Sequence, residues 1–505
     1  MIFKKVFCLF LSVMMIISAF SAVAVSANAE NGVPVAAFGG GQPPEKPDGE
    51  MPGEPPEGMG GPGGGMGTPP DGAPGEGMGT PPDGTPGGKG GPGGMPGGGS
   101  SSSDIDYSGA VEITSADSQD GQTYETSAVD QSALLISTAE DVTITNPTVV
   151  KSGSSDGGDS CNFYGLNAAV LVKDGSTTTI TGGTITSDAD GANGVFSYGG
   201  NGGRNGAEGD GTTVVIRDTV ITTTGSGSGG IMTTGGGTTY AYDLTVTTSG
   251  GSSAPIRTDR GGGTVHVDGG SYTSNGLGSP AIYSTADITV ENAVLTSNLS
   301  EGVCIEGKNS ITLLNCDLSA SNTKCNGNAT FLDTIMIYQS MSGDADSGTS
   351  SFTMTGGSLT SKSGHVFHVT NTNAVISLSD VEIRNEDASG VLLSVCDDGW
   401  NGAGNVATLN ADGQELSGTI LVGSNSSMTL NLINGSAFTG TVSGEIVNAK
   451  GDTVSTETGT VDVTLDNSSA WSLTGDTYVS SFNGDTANIA FNGYTLYVGG
   501  VAVNS

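Results

Sequence analysis

The sequence predicts an all-β solenoid, a chain wound into coils whose strands stack in parallel. Three observations predict it. The body of the 505-residue chain alternates short β-branched runs with Gly, Asn, Asp and Ser turns. A strand motif recurs at a base period of roughly 23–26 residues, with longer insertions between some copies. No helix-period apolar stripe of useful length interrupts it. Composition agrees: Gly supplies 86 residues, and hydrophobic residues are only 34% of the chain, too few for several Leu-rich helical cores.

The elements follow in order. Lys4 and Lys5 precede an apolar stretch from Val6 to about Val25, and Ala27-Asn28-Ala29 supplies a small-x-small cleavage pattern. Residues 1–29 therefore read as a secretory signal peptide, and the expected location is secreted, extracellular or cell-surface associated. No later stretch is long and apolar enough to span a bilayer, so the mature chain is expected to have no membrane span. Residues 30–103 read as a disordered Pro/Gly-rich linker. Fifteen of the 19 prolines lie between Pro43 and Pro96, and a unit starting Gly65-Met66-Gly67-Thr68-Pro69-Pro70 returns at Gly77. Such a segment cannot bury enough apolar surface to offset its chain entropy. Residues 104–141 are expected to cap the solenoid, 142–448 to form its coils, and 449–505 to add final rungs and a closing cap.

The repeated motif is apolar-x-apolar, four residues, apolar. It reads Val142-x-Ile144…Val149, Thr178-x-Ile180…Ile185 and Val214-x-Ile216…Ile221, and returns at Val265, Ile288, Ile311, Phe352 and Ile376. A second strand follows each copy after a Gly- or Ser-rich turn. Examples are Val195-Phe196-Ser197, Ile231-Met232-Thr233, Ile256-Arg257-Thr258, Ile282-Tyr283-Ser284, Val303-Cys304-Ile305, Ile335-Met336-Ile337, Val366-Phe367-His368 and Val391-Leu392-Leu393. The first column is always Val or Ile and is expected to face inward, because branched side chains pack well on a pleated, buried surface. The middle column contains Arg257 and is expected to face out. Two strands per unit, repeated in one direction, imply parallel pairing between units. One coil buries too few side chains to offset the ordering of its backbone, so stability must come from stacking.

The pattern resembles the right-handed parallel β-helix, or pectin-lyase-like, family of secreted bacterial proteins over about 142–448. Residues 261–270 and 279–288 are similar to a glycine-rich, adhesin-like branch of it, and 470–476 to the closing segments of bacterial adhesin-type solenoids. The resemblance implies a single-stranded right-handed parallel β-helix acting in adhesion or polysaccharide binding. The fold hosts lyases, hydrolases and binders alike. The catalytic signatures of its pectin-cleaving members, a His-Gly and an Arg-x-Lys, do not occur here. The segment 255–260 is faintly similar to the Arg-containing stretch of pectate lyases but lacks its leading Arg. A non-catalytic binder is therefore expected, with a polysaccharide lyase or glycoside hydrolase as the alternative and a structural envelope or matrix protein as the third reading.

Charge narrows the partners. Acids number 52 and bases 15, a formal net charge of −37. Such a surface repels nucleic acid and anionic lipid, and suits divalent cations or neutral and cationic polymers. The outward column reads Phe196, Met232, Arg257, Tyr283, Met336 and Phe367, with Tyr198 and Tyr338 two residues beyond it. Rings in a row at strand spacing can stack sugars of a polysaccharide or cell-surface glycan. Arg257 and Arg260, with Asp259 and Glu306 at hand, form either ion pairs or a fork for a uronate. The candidate glycan contacts are thus Phe196, Tyr198, Arg257, Asp259, Arg260, Tyr283, Glu306 and Tyr338. Loops 187–213 and 320–350, folded over this face, would instead bury it.

Calcium is the one cofactor the sequence suggests. Asp188-x-Asp190-Gly191 and Asp344-x-Asp346-x-Gly348 place oxygens at spacings used by calcium loops, and the pair Asp397-Asp398 marks a turn that can hold a cation. Solvated turns are the other reading of all six acids. His365 and His368, three apart in a strand, are expected on opposite faces. Cys316 and Cys325 lie near one loop and are candidates to pair. The runs Thr177-Thr178-Thr179 and Thr222-Thr223-Thr224 are not spaced as a regular ladder.

Overall fold

A computed structural model describes residues 105–202, 208–400, 402 and 404–503; the expected signal peptide and linker lie outside the described residues. The described chain is a parallel β-helix. The first sheet has 15 strands, from Ser108–Ile113 to Ile489–Ala490. The second has 14, from Asp117–Asp120 to Ser481–Asn483, and the third has ten, from Thr123–Thr126 to Glu382–Asn385. Neighbouring coils pair in parallel, strand on strand, as in Val142–Thr145 on Thr177–Thr181. The ladders therefore also draw strands from 104–141 and from 449–505. No helix among the described residues is long and apolar enough to cross a membrane.

Each coil up to residue 385 has three strands where the motif suggested two, because the four residues before its last apolar position hold a turn. In one coil Val142–Thr145 lies in the second sheet and Thr148–Lys151 in the third, and Asn146 between them has φ 49°. The same position carries Asp218, Asp243, Asn292, Asn315 and Asp380 at φ 50–54°. Asn, Asp and Gly visit this left-handed region at less cost than other residues. Their amides then join coil to coil: Asn292 N donates to Leu314 O, and Asn315 N to Thr355 O, both at 2.9 Å. Where a Gly pair replaces Asn, the second glycine lies against the coil beneath. A Cβ on Gly357 would come within 2.0 Å of the Cys316 carbonyl oxygen.

Inside, like residues stack in files. In the third sheet Val149, Ile185, Ile221, Val246, Tyr272, Leu295, Leu318 and Leu359 pair in register, each at most 1% exposed. In the first sheet Val195, Ile231, Ile256, Ile282 and Val303 do the same, which is the inward column expected. Outside the third sheet, Thr186, Thr222, Thr247, Thr273 and Thr296 do align across successive coils, a regularity hidden by the insertions.

Two copies of the first-sheet column are shifted from expectation. Val366 and Phe367 both enter the core, and Phe367 pairs with Ile335. Phe367 packs on Phe352, ring centroids 5.9 Å apart, and is not an outward aromatic. Leu392 and Leu393 likewise both point in, leaving Val391 in a cluster outside. The residue at the corner into the first sheet faces the core along with the one after it. In earlier coils that corner is Gly194, Gly230, Pro255 or Ala281, too small to disturb the pattern. The consecutive inward pair also puts His365 and His368 on one side, not on opposite faces: both Nδ1 atoms lie 2.7 Å from Ser394 Oγ. Cys316 sits in the main core and Cys325 donates toward the Phe331 carbonyl, so both are free thiols and the expected pair does not form.

Beyond residue 405 the third sheet has ended and the coil runs on two longer strands, such as Asn405–Asp412 and Glu415–Val422. The turn chemistry yields a direct expectation. Asn315→Val forces a β-branched residue to φ 52° and should cost about 1–2 kcal/mol in a denaturant melt, while Asn315→Gly stays within a few tenths.

Candidate functional site

The outer face of the first sheet carries a file that runs Phe196, Met232, Arg257, Tyr283, Cys304 and Met336. Two insertions cover its ends. Near one end the chain leaves the coil to form the short helix Asp159–Tyr164, which ends on Gly165 at φ 79°. Its Phe163 and Tyr164 pack on Phe196, Tyr198 and Met232. Near the other end Phe331 and Ile446 seal Val391, Cys396 and Leu421. Between the covers a cleft of about 250 Å³ stays open, lined by Ser252, Ala254, Arg257, Gly278, Pro280, Tyr283, Asn326 and Tyr338.

The structure divides the eight candidate contacts. Phe196 and Tyr198 are sealed beneath the helix at 0% and 2% exposure. The other six gather at or just beneath the cleft. Arg257 Nη2 meets Asp259 Oδ2 at 2.8 Å, and Nη1 donates to Ser252 O at 3.1 Å and Asn162 Oδ1 at 3.3 Å. Arg260 Nη2 meets Asp344 Oδ1 at 2.5 Å, with its guanidinium 4.2 Å over the Phe163 ring. Glu306 is buried and accepts from Tyr283 Oη at 2.6 Å, Tyr338 Oη at 3.1 Å, Ser342 Oγ at 3.2 Å, and Ser340 Oγ. The Trp400 ring packs on Tyr338 at 4.9 Å.

Electrostatics follow from that burial. Burial and the Glu306 charge hold the Tyr283 and Tyr338 phenols well above the usual range, so both stay protonated and serve as donors. Burial pushes the Asp259 carboxyl up to about 6, against the pull of Arg257. The arrangement is a rigid wall of two phenol rings over a carboxylate whose acceptor sites are filled.

The six candidate calcium acids are dispersed. Asp344 is taken by Arg260 and Asp346 by Lys308 at 3.0 Å. Asp190 Oδ1 accepts from Ser226 N at 2.7 Å, and Asp188 is exposed. Asp397 accepts from Asn405 Nδ2 at 2.6 Å. Asp398 accepts from Thr330 N at 2.7 Å and Oγ1 at 2.6 Å, and lies 3.3 Å from His368 Nε2. No group of three or more His, Cys, Asp or Glu among the described residues is placed to hold a metal ion.

Sequence reasoning missed Asn162, Asn326 and Trp400, which reach the site from insertions with no periodic signal. It also missed two buried acids, Glu301 and Asp333. Burial drives both carboxyls above the usual range, and Asp333 offers neither oxygen a protein partner. Their signal was an acid two residues ahead of an inward Val303 or Ile335. Both are at most 4% exposed, beneath Asn322, whose Nδ2 donates to Glu301 Oε1 at 3.2 Å.

No protein-family model matches the chain, and neither a curated protein nor a solved structure matches it.

Asp259 makes the fold sensitive to pH in a defined direction. The folded chain keeps a proton on Asp259 between about 3.8 and 6 that the unfolded chain releases. Its contribution to stability is full at acidic pH and is lost as pH rises through that window. His365, lowered to about 3 by burial, contributes the opposite slope, so the informative quantity is wild type minus Asp259→Asn. That difference in unfolding free energy should fall between pH 4 and pH 7 in denaturant titrations.

Proposed function

We propose that the protein is an extracellular β-helix that binds a neutral polysaccharide in the first-sheet cleft without cleaving it. One observation carries the reading: the cleft presents the rings of Tyr283 and Tyr338 beside uncharged polar groups, while Arg257 is ion-paired with Asp259 and Glu306 beneath is capped by hydroxyls of the protein. Sugar C–H faces lie on such rings, and sugar hydroxyls find partners in Asn326 and the Ser252 hydroxyl. A uronate is disfavoured because the Arg257 fork is already occupied by Asp259, Asn162 and Ser252. The cleft is smaller than the roughly 300–1,000 Å³ of drug-sized sites, which suits one ring of a longer chain.

Cleavage would take two carboxyls flanking the glycosidic bond. Glu306 is saturated by hydroxyls, Asp259 by Arg257, and Glu301 and Asp333 lie below the surface. The extracellular assignment is supported by the Lys4-Lys5 start, the apolar run and Ala27-Asn28-Ala29. A role in surface attachment fits the Pro/Gly-rich segment ahead of the coils as a spacer.

Affinity electrophoresis through neutral and acidic polysaccharides tests the reading. Tyr283→Ala should reduce retardation by a neutral glycan at least tenfold, whereas Tyr283→Phe, which keeps the ring, should retain most of it. Equal retardation of all three proteins, or release of reducing or unsaturated ends from the polymer, would refute it.

A further inference from the structure

The second sheet turns its outer face to solvent, and one patch on it differs from the Thr and Ser positions around it. In one file Arg217, Tyr242, Asp268 and Glu291 succeed one another in register, and in the next file Tyr240, His266 and Thr289 do so. Side-chain lengths then shape a notch. Asp268 is short between Tyr242 and Glu291, and Thr289 is short beyond His266. The result is a cleft of about 240 Å³ lined by Tyr240, Tyr242, His266, Asp268, Thr289 and Glu291. It spans two coil spacings, roughly 9–10 Å.

Two features indicate what it takes. The first is charge. Neither Asp268 nor Glu291 forms an ion pair among the described residues, and Asp268 Oδ1 receives only an amide, Asn292 Nδ2 at 2.7 Å. The chain as a whole carries −37, which draws cations toward such a notch. The second is the ring surface. Tyr242 already holds a cation, the Arg217 guanidinium, with Cζ 3.7 Å from its centroid. Arg217 belongs to the preceding coil and Asp268 to the following one, so the opposite side of the ring borders the carboxylates. Tyr240 and His266 stack at 5.2 Å and 7° and make a flat second wall.

We infer that this notch binds a protonated amino-sugar unit of a cationic polysaccharide. The ammonium sits on Tyr242 between Asp268 and Glu291, and the sugar ring lies along His266. Acetylating the amine removes the charge and with it the attraction of both carboxylates and of the ring. A lysine side chain carries the same ammonium but has no ring to place on the flat wall, so the sugar is the better fit. The notch faces out from a different sheet than the cleft at Tyr283, and the inference does not rest on that site.

Calorimetric titration of the full chain with a glucosamine tetramer, its fully N-acetylated counterpart and tetralysine tests this. The glucosamine tetramer should bind at least tenfold more tightly than the acetylated one, and weaken as salt rises. Glu291→Gln and the double variant Asp268→Asn/Glu291→Gln replace surface carboxylates with amides of like shape, and each should lose at least tenfold while melting as wild type does. Tyr283→Ala should leave this affinity unchanged. Equal affinity for the acetylated tetramer in Tyr283→Ala, where the first-sheet cleft has lost its ring, tighter binding of tetralysine, full affinity in the double variant, loss of the glucosamine tetramer's binding in Tyr283→Ala, or no binding would each overturn the assignment.

Discussion

Everything in this molecule depends on coils pairing in register along their whole length. A single coil of three short strands cannot offset the entropy of ordering its backbone. Stacked coils can, because each strand's amides find partners in the coil above and below and each inward residue lands on its counterpart. The register is held at the turn between the second and third sheets. One left-handed residue there, Asn, Asp or Gly, sets the corner of coil after coil and passes its amide to the next. A slip of one residue at that corner would turn every Val and Ile of the coil toward solvent.

Stacking also explains where recognition can occur. A uniform solenoid offers long, nearly flat faces, and flat faces hold small ligands poorly. Concavity arises in two ways here. On the first sheet it arises by addition: the helix Asp159–Tyr164 and the segment around Phe331 cover the ends of one face, and the uncovered interval is the cleft at Arg257 and Tyr283. On the second sheet it arises by side-chain length alone, where short residues follow long ones in the same file. The first route gives a site whose charged groups are already met within the protein, Arg257 by Asp259 and Glu306 by hydroxyls. The second leaves its carboxylates facing water.

The buried polar groups beside the first cleft are structural in their consequences. Glu306 ties Tyr283, Tyr338 and two serines into one network, fixing ring positions that an isolated strand would leave to rotamer choice. Ser394, bonded by His365 and His368, does the same for the last coils before the sheet count changes. Such networks rigidify because any member that loses its partner is left unsatisfied in a low-dielectric interior.

The parallel stacking, the inward Val and Ile column and the outward position of Arg257 and Tyr283 were legible in the sequence, because burial and pleating impose a strict alternation that composition displays directly. Three things were not. The third strand of each coil was hidden inside a four-residue gap, since a one-residue left-handed corner leaves no longer signature than a single Asn, Asp or Gly. The placement of Phe367 and of the two histidines depended on a corner residue that small side chains concealed in every earlier coil. The Arg257–Asp259 ion pair was open to a sequence reading, since the two lie two residues apart, but the Asn162 contact of Arg257 and the partners of Arg260, Asp344 and Asp398 were set by tertiary folding alone: insertions such as those carrying Asn162, Asp344 and Thr330 have no period, and which coil each one folds back upon is decided by packing across dozens of residues rather than by any local preference.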